Sequence, residues 1–214
     1  MAITKRYQTA PQTLATYDYT DIAEGTGVVV FNGYSVDASG AAVDYLLSKD
    51  EVRSSQITTN AAPTGAAFVK LLDLDFDTTF NNPCWIRGTS KYLITNTGKG
   101  TTASEIDTYL IIKLRGVISG DEEEIGSVQT ESLTLGATVV GSRDNTVTIE
   151  IATPFYFAKG DTLRITVEVW GQRDGGTGGF CGVAHDPENR DDAAQLAAAN
   201  YSTFEAHIPF VIDR

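Results

Sequence analysis

The chain has 214 residues, of which 42% are hydrophobic and 21% charged, and 16 Lys and Arg against 28 Asp and Glu give a formal net charge of −12. This balance argues against nucleic acid and against an anionic membrane surface as main partners, because both are recognised by clustered Lys and Arg. A chain of this length forms one β domain or two small sandwiches, and it buries about 70% of its unfolded surface without needing a disulfide or a metal.

The first 20 residues are rich in Thr, Gln and Tyr and show no apolar period. They are expected to form an extended N-terminal arm, residues 1–20, that becomes ordered only against another surface. The arm contains no apolar segment typical of a signal peptide, and no run of about 18 apolar residues follows it. We therefore expect a cytoplasmic chain, or one exported without a cleaved signal, in which residues 21–214 form a single domain.

Period-2 alternation of apolar and polar residues dominates the rest of the chain and predicts β-strands. The clearest case is 162–170, where Leu163, Ile165, Val167 and Val169 are expected to face the core while Arg164, Thr166 and Glu168 face water. The predicted strands are 26–36, 68–76, 92–95, 108–118, 146–151, 162–170 and 202–212.

Turns rich in Gly, Asp and Asn separate these strands, and no helix follows each strand in turn. This order predicts an all-β, antiparallel β-sandwich of the jelly-roll type with about eight strands. Asp186-Pro187 followed by the alanine-rich 191–200 indicates one short helix, and 41–47 suits either a helical turn or a strand. The acidic segment 120–126 predicts a solvated turn, and 171–179, with five glycines, predicts a mobile or tightly turning loop.

The sequence has two histidines, His185 and His207. His185 stands beside Asp186, but no motif connects it to a nucleophile, and the glycine loop lacks the order of a phosphate-binding loop. His207 is expected to face solvent or a neighbouring subunit. No catalytic residue and no cofactor are assigned, and a hydrolase would need a pocket that pairs His185 with two acidic side chains.

Three alternating carboxylates, Asp73, Asp75 and Asp77, are expected on one face of a strand about 6–7 Å apart. They are the candidate calcium ligands, although Thr78 stands where a calcium loop has glycine. An ordinary solvated strand face and one partner of a glycosidase carboxylate pair are the alternatives.

Cysteines and tryptophans complete the candidates. Cys84 and Cys181 lie in apolar surroundings and are expected to be buried free thiols, with a disulfide as the alternative. Trp85 and Trp170 could form an exposed sugar platform, but core or rim packing suits their neighbours better.

The C-terminal half carries a family resemblance. It contains the stretch FAKGDTLRITV at 157–167, then the glycine loop, then His185-Asp186-Pro187, and it closes on a strand at 207–214. With the N-terminal arm, this resembles the β-sandwich virion proteins of tailed bacteriophages, in particular capsid decoration or cement proteins. The resemblance is strongest over 145–214.

The resemblance implies a structural virion protein without catalysis. Such a protein would bind the lattice of the major capsid protein from outside, stabilise the shell, and assemble in the host cytoplasm as a trimer or dimer. The high negative charge suits solubility at high copy number. The alternative function is a carbohydrate- or receptor-binding β-sandwich module, with calcium at Asp73, Asp75 and Asp77.

Overall fold

The computed structural model describes residues 26–37, 43–101, 104–136, 138, 140–191, 194, 196–197 and 202–211, so the predicted arm lies outside the described residues. These parts of the chain contain twelve β-strands and no helix. The strands are β1 (Thr26–Asp37), β2 (Val43–Ser48), β3 (Thr58–Ala61), β4 (Val69–Thr79), β5 (Cys84–Lys99), β6 (Glu105–Ile118), β7 (Asp121–Gln129), β8 (Leu133–Leu135), β9 (Val140–Phe157), β10 (Thr162–Asp174), β11 (Phe180–Ala184) and β12 (Phe204–Val211).

The strands form two layers of one continuous mixed sheet. The first layer runs β9, β5, β12, β1, and β11 and β3 continue it beside the second half of β5. The second layer runs β4, β10, β6, β7, with β8 beside the start of β6. β2 joins them: it pairs with β1 in antiparallel fashion and with β4 through one parallel bridge, Leu46 to Asp77. The prediction of an all-β, mainly antiparallel sandwich is confirmed.

The core lies between the two layers. Leu163, Ile165, Val167 and Val169 of β10 are fully buried, as their alternation predicts. The layers meet closely where glycine leaves room, because a Cβ at Gly116 on β6 would lie 2.5 Å from ring atoms of Phe155 on β9. This close packing in the interior fixes how the two layers face each other.

Several strands were missing from the sequence-based prediction, which expected about eight. The short strands β3, β8 and β11 carry too few alternating residues to be recognised. The predicted turn at 120–126 is wrong, since these residues begin strand β7 and pair with β6. Their acidic side chains suit this strand because it lies at the sheet edge, where Glu122 binds Arg115 and Arg164.

The remaining local predictions have mixed outcomes. Segment 41–47 belongs to strand β2 from Val43 onward. The helix predicted at 191–200 falls largely outside the described residues, and those of its residues that are described form none. Glycines 175, 176, 178 and 179 all have positive φ, so the turning loop is confirmed after β10 ends at Asp174. In the described part of the chain no helix is long and apolar enough to cross a membrane.

Candidate functional site

His185 lies at the end of β11, buried without solvent exposure between the layers. Its Nδ1 is 3.2 Å from the Ser54 hydroxyl and its Nε2 is 2.8 Å from the Thr59 hydroxyl. The rings of Tyr45 and Phe76 pack against the imidazole at centroid distances of 5.6 and 6.0 Å. Burial lowers the pKa of His185 to about 4, so the ring is neutral near pH 7.

Asp186, the next residue, extends this hydrogen-bond network to Ser54 and Arg190. Its carboxylate accepts hydrogen bonds from the Ser54 backbone N–H, at 3.3 Å, and from Arg190. Arg190 also donates to the Ser54 carbonyl oxygen at 2.6 Å, and the Ser202 hydroxyl donates to the Asp186 carbonyl oxygen at 2.8 Å. The network thereby ties the chain around Ser54 to the segment that follows β11.

These residue types are those of a hydrolytic triad, but their arrangement is different. Asp186 binds the backbone and Arg190 rather than the imidazole, and Ser54 is only 2% exposed. A catalytic serine must reach a substrate carbonyl, and its histidine must be oriented by the third group. In the described geometry, His185, Ser54 and Asp186 connect segments of the fold and do not face a substrate.

The three aspartates of β4 share one outward face, as predicted. Arg164 binds both carboxylate oxygens of Asp77 at 2.8 and 2.7 Å, and Thr166 donates to Asp75 at 2.6 Å. Lys70 donates to Asp73, also at 2.6 Å. Among the described residues no group of three His, Cys, Asp or Glu side chains is arranged to hold a metal ion. Calcium binding by these aspartates therefore stays a prediction without a preformed site.

Sequence reasoning did not anticipate the buried charge network around Glu168. Glu168 is 3% exposed rather than facing water, and Thr166 is likewise buried. Glu168 accepts hydrogen bonds from Lys113 at 2.8 Å, Lys70 at 3.3 Å and the Trp170 indole at 2.8 Å. Burial acts to raise the pKa of Glu168, but these hydrogen bonds outweigh it and lower the pKa.

The remaining predicted residues lie apart from one another. His207 is half-buried and its Nε2 lies 3.1 Å from Glu205. Trp170 stacks on Tyr109 with ring centroids 6.1 Å apart, whereas Trp85 is 38% exposed and does not pack in the core. Both cysteines are free thiols: Cys181 is buried as predicted, but Cys84 is only partly buried.

An open groove of about 570 Å³ lies at one end of the sandwich. Its floor is apolar and comes from Val29, Phe31, Leu47, Phe80 and Phe210. Its rim is polar apart from one proline and consists of Ser48, Lys49, Asp50, Thr78, Thr79, Asn81, Asn82, Pro83 and Cys84. The lining therefore offers both apolar contacts and hydrogen-bonding groups, the two kinds of contact that a small-molecule site uses.

Backbone contacts hold the groove in shape. Phe80 donates to the Asp161 carbonyl at 2.9 Å and accepts from the Gly160 N–H at 2.8 Å, which anchors the connection between β4 and β5. The Phe80 and Phe210 rings meet edge to face at 5.8 Å, and Lys49 lies 6.0 Å from the Phe31 ring centroid. The floor is therefore built from strands β1, β2 and β12 and from the connection that follows β4.

The groove carries one thiol. Burial raises the pKa of Cys84 to about 11, so this side chain is protonated near pH 7 and a weak nucleophile. Sequence reasoning missed the groove because its residues come from four segments that are distant in sequence. The segment Asn81-Asn82-Pro83, whose residue types favour turns, is the local signal that could have indicated a loop there.

Comparison with known proteins gives similarity only at the level of the fold. No protein-family model and no curated protein matches the sequence. An aminopeptidase from a marine sediment Thaumarchaeota archaeon matches with a TM-score of 0.50 and 10% identity, over 83% of this chain and 36% of that one. A CocE/NonD family hydrolase from Staphylococcus aureus matches with a TM-score of 0.47 and 11% identity, over 85% and 36%. The chain thus spans about a third of the length of these structures.

Weaker matches include a structure of infectious bursal disease virus, Gx strain, with a TM-score of 0.34, 13% identity, and coverage of 94% of this chain and 57% of that one. No sequence or family match supports a decoration protein of tailed bacteriophages. The expectation of a non-enzymatic shell protein, with a carbohydrate- or receptor-binding module as its alternative, is wrong: the similarity found is to the fold of an aminopeptidase.

Proposed function

We propose that the chain is the β-sandwich domain of a hydrolytic enzyme and that its end groove binds the substrate. The groove carries this proposal, because it combines a volume of about 570 Å³ with an aromatic floor and a rim of amide, hydroxyl and charged groups. The similarity in fold to the aminopeptidase supports it. The proposed role of the groove is binding, and bond cleavage belongs to the enzyme as a whole.

The groove chemistry favours an amide substrate with an apolar side chain. Burying a Leu or Phe side chain on the aromatic floor contributes about 1.5–3 kcal/mol. The amides of Asn81 and Asn82 can both donate to and accept from a peptide group. Asp50 and Lys49 stand at the rim with opposite charges, so Asp50 suits an amino-terminal ammonium group and Lys49 a carboxylate.

The first test is binding of small amides followed by nuclear magnetic resonance. Leucinamide and phenylalaninamide are expected to shift amide signals of the groove residues, and glycinamide, which lacks a side chain, should bind much more weakly. Phe80→Ala should weaken phenylalaninamide binding about tenfold, because it removes one aromatic contact. Tyr109→Ala, an aromatic substitution on the outside of the second layer, is the matched control and should leave affinity unchanged.

A second arm tests the charged rim. Acetylation of the amino group removes the ammonium ion that Asp50 would bind, so Asp50→Asn should weaken the free amide but not its acetylated form. Signal changes that avoid the groove, or equal effects of Phe80→Ala and Tyr109→Ala, would reject the groove as the substrate site.

A further inference from the structure

Exposed large hydrophobic side chains are concentrated on one outer face of the molecule. In the described residues six such side chains are at least 37% exposed: Val28, Val30, Val36, Val69, Trp85 and Tyr156. Four of them, Val28, Val30, Trp85 and Tyr156, lie on the outside of the first layer. Single exposed apolar residues are ordinary, but a contiguous group on a flat sheet indicates an interaction surface.

Strand register makes this group continuous. Val211 pairs with Thr26 on one side and with Trp85 on the other, so it lies diagonally next to Val28. Trp85 in turn pairs with Tyr156, and their rings lie 4.9 Å apart between centroids. Paired residues of antiparallel strands share a face, so the surface extends over β1, β12, β5 and β9. We call it the apolar face.

The charged side chains of the apolar face differ from those on the outside of the second layer. Four charged side chains lie next to the exposed apolar ones, and their formal charges sum to zero: Arg87, Lys91, Glu150 and Glu205. The second layer instead carries acidic and basic side chains that bind one another, such as Asp77 with Arg164. In a chain of formal charge −12, two copies repel each other least where the local charge is balanced.

We propose that the apolar face binds a second copy of the same chain, related by a two-fold axis. Four strands spaced about 4.8 Å apart, paired over about the eight residues of β12 at about 3.3 Å per residue, present about 500 Å². Two copies would together bury about 1,000 Å², which is the lower limit for a specific interface. A face that is apolar and balanced in charge is complementary to a second copy of itself. A strongly charged partner would instead require a patch of opposite charge, which this face does not have.

The test is the mass of the full chain by analytical ultracentrifugation between about 1 and 200 µM. The wild type should dimerise. Because the dimer has a two-fold axis, Val30→Asp places two negative charges in the interface, one from each copy. It should weaken the dimer at least about 100-fold. Val69→Asp is the matched control, because both valines are 37% exposed but Val69 lies on β4, away from the face. A wild type that stays monomeric throughout, or equal effects of the two substitutions, overturns the proposal.

A spectroscopic measurement keeps the test informative even if Val30→Asp disturbs folding. In the Trp170→Phe variant, Trp85 is the remaining tryptophan. Its fluorescence should shift to shorter wavelength as the chain dimerises, with the same concentration dependence as the mass. Dimerisation without any change at Trp85 would place the interface elsewhere and refute the apolar face.

Discussion

At the buried histidine His185, the neighbouring residue types suggest a catalytic triad, whereas the geometry shows a structural hydrogen-bond network. His185, Ser54 and Asp186 would look like catalytic residues in a list, yet both imidazole nitrogens face hydroxyl groups inside the fold. The neutral imidazole has a hydrogen-bond partner at each nitrogen and is not exposed to solvent. Stability should therefore depend on pH, because protonation of the ring would place an uncompensated charge in the interior.

We predict that stability falls as the pH is lowered from about 7 to 5. The unfolded chain protonates His185 near its ordinary pKa of about 6.5, whereas the folded chain does so only near 4. The unfolded state therefore binds more protons in this window, and the loss from pH 6.5 to pH 5 is at most about 2 kcal/mol. Urea unfolding at several pH values measures it.

Two variants separate this histidine from the other titrating groups. His185→Gln should flatten the pH dependence between about pH 7 and 5. His207→Gln, at the half-buried histidine of β12, should keep the wild-type difference. The hypothesis fails if wild type and His185→Gln lose the same stability on acidification.

At the level of the strands, the outside of the second layer is stabilised by charge pairing between neighbours. β10 lies between β4 and β6, and Glu168 at its centre receives Lys70 from one side and Lys113 from the other. The long lysine side chains and Trp170 cover the carboxylate. This is why an outward-facing position of a sheet is almost completely buried.

We predict that Glu168→Gln lowers the free energy of unfolding by about 1.5–3 kcal/mol, because it removes the negative charge that pairs with two ammonium groups and replaces one accepting oxygen by an NH₂ donor at a buried site. Glu124→Gln replaces an exposed glutamate on β7 and should change stability by less than about 0.5 kcal/mol. Urea midpoints at neutral pH compare the two. Similar losses of unfolding free energy in both variants would show that the buried ion pairs of Glu168 do not stabilise the fold.

The sequence reveals which residues of a strand face inward, but not what covers the outward ones. Alternation in β10 correctly placed Leu163 and its companions in the core, because one face of a two-layer fold must be apolar. The burial of Thr166 and Glu168 depends on side chains of β4 and β6, which no local pattern contains. The groove escaped prediction for the same reason, since Phe31, Phe80 and Phe210 meet only after folding.

At the scale of the whole molecule, the reactivity of the two thiols distinguishes the native state from states in which the two layers have separated. Cys84 lies at the groove, whereas Cys181 lies in the core, where a Cβ at Gly171 would approach its sulfur to 2.5 Å. A reagent can reach Cys84 in the native state but reaches Cys181 only when the layers separate.

We predict that a thiol reagent labels Cys84 slowly in the folded protein, about 100-fold more slowly than a free thiol, since its raised pKa leaves little thiolate. In the Cys84→Ala variant, Cys181 should react only at the rate set by global unfolding. Labelling followed by mass spectrometry measures both. A ligand in the groove should protect Cys84 and leave Cys181 unaffected, and rapid labelling of Cys181 would contradict the described core.

The place of β12 between β1 and β5 has a consequence for folding. Thr26 pairs with Val211, which is 185 positions later in the chain, so the edge of β1 that does not pair with β2 stays unpaired until the last described strand arrives. Contacts this far apart in sequence slow the folding reaction, because the intervening chain must first be brought together. Until then β1 and β5 each expose one unpaired backbone edge, and such edges favour aggregation of the partly folded chain.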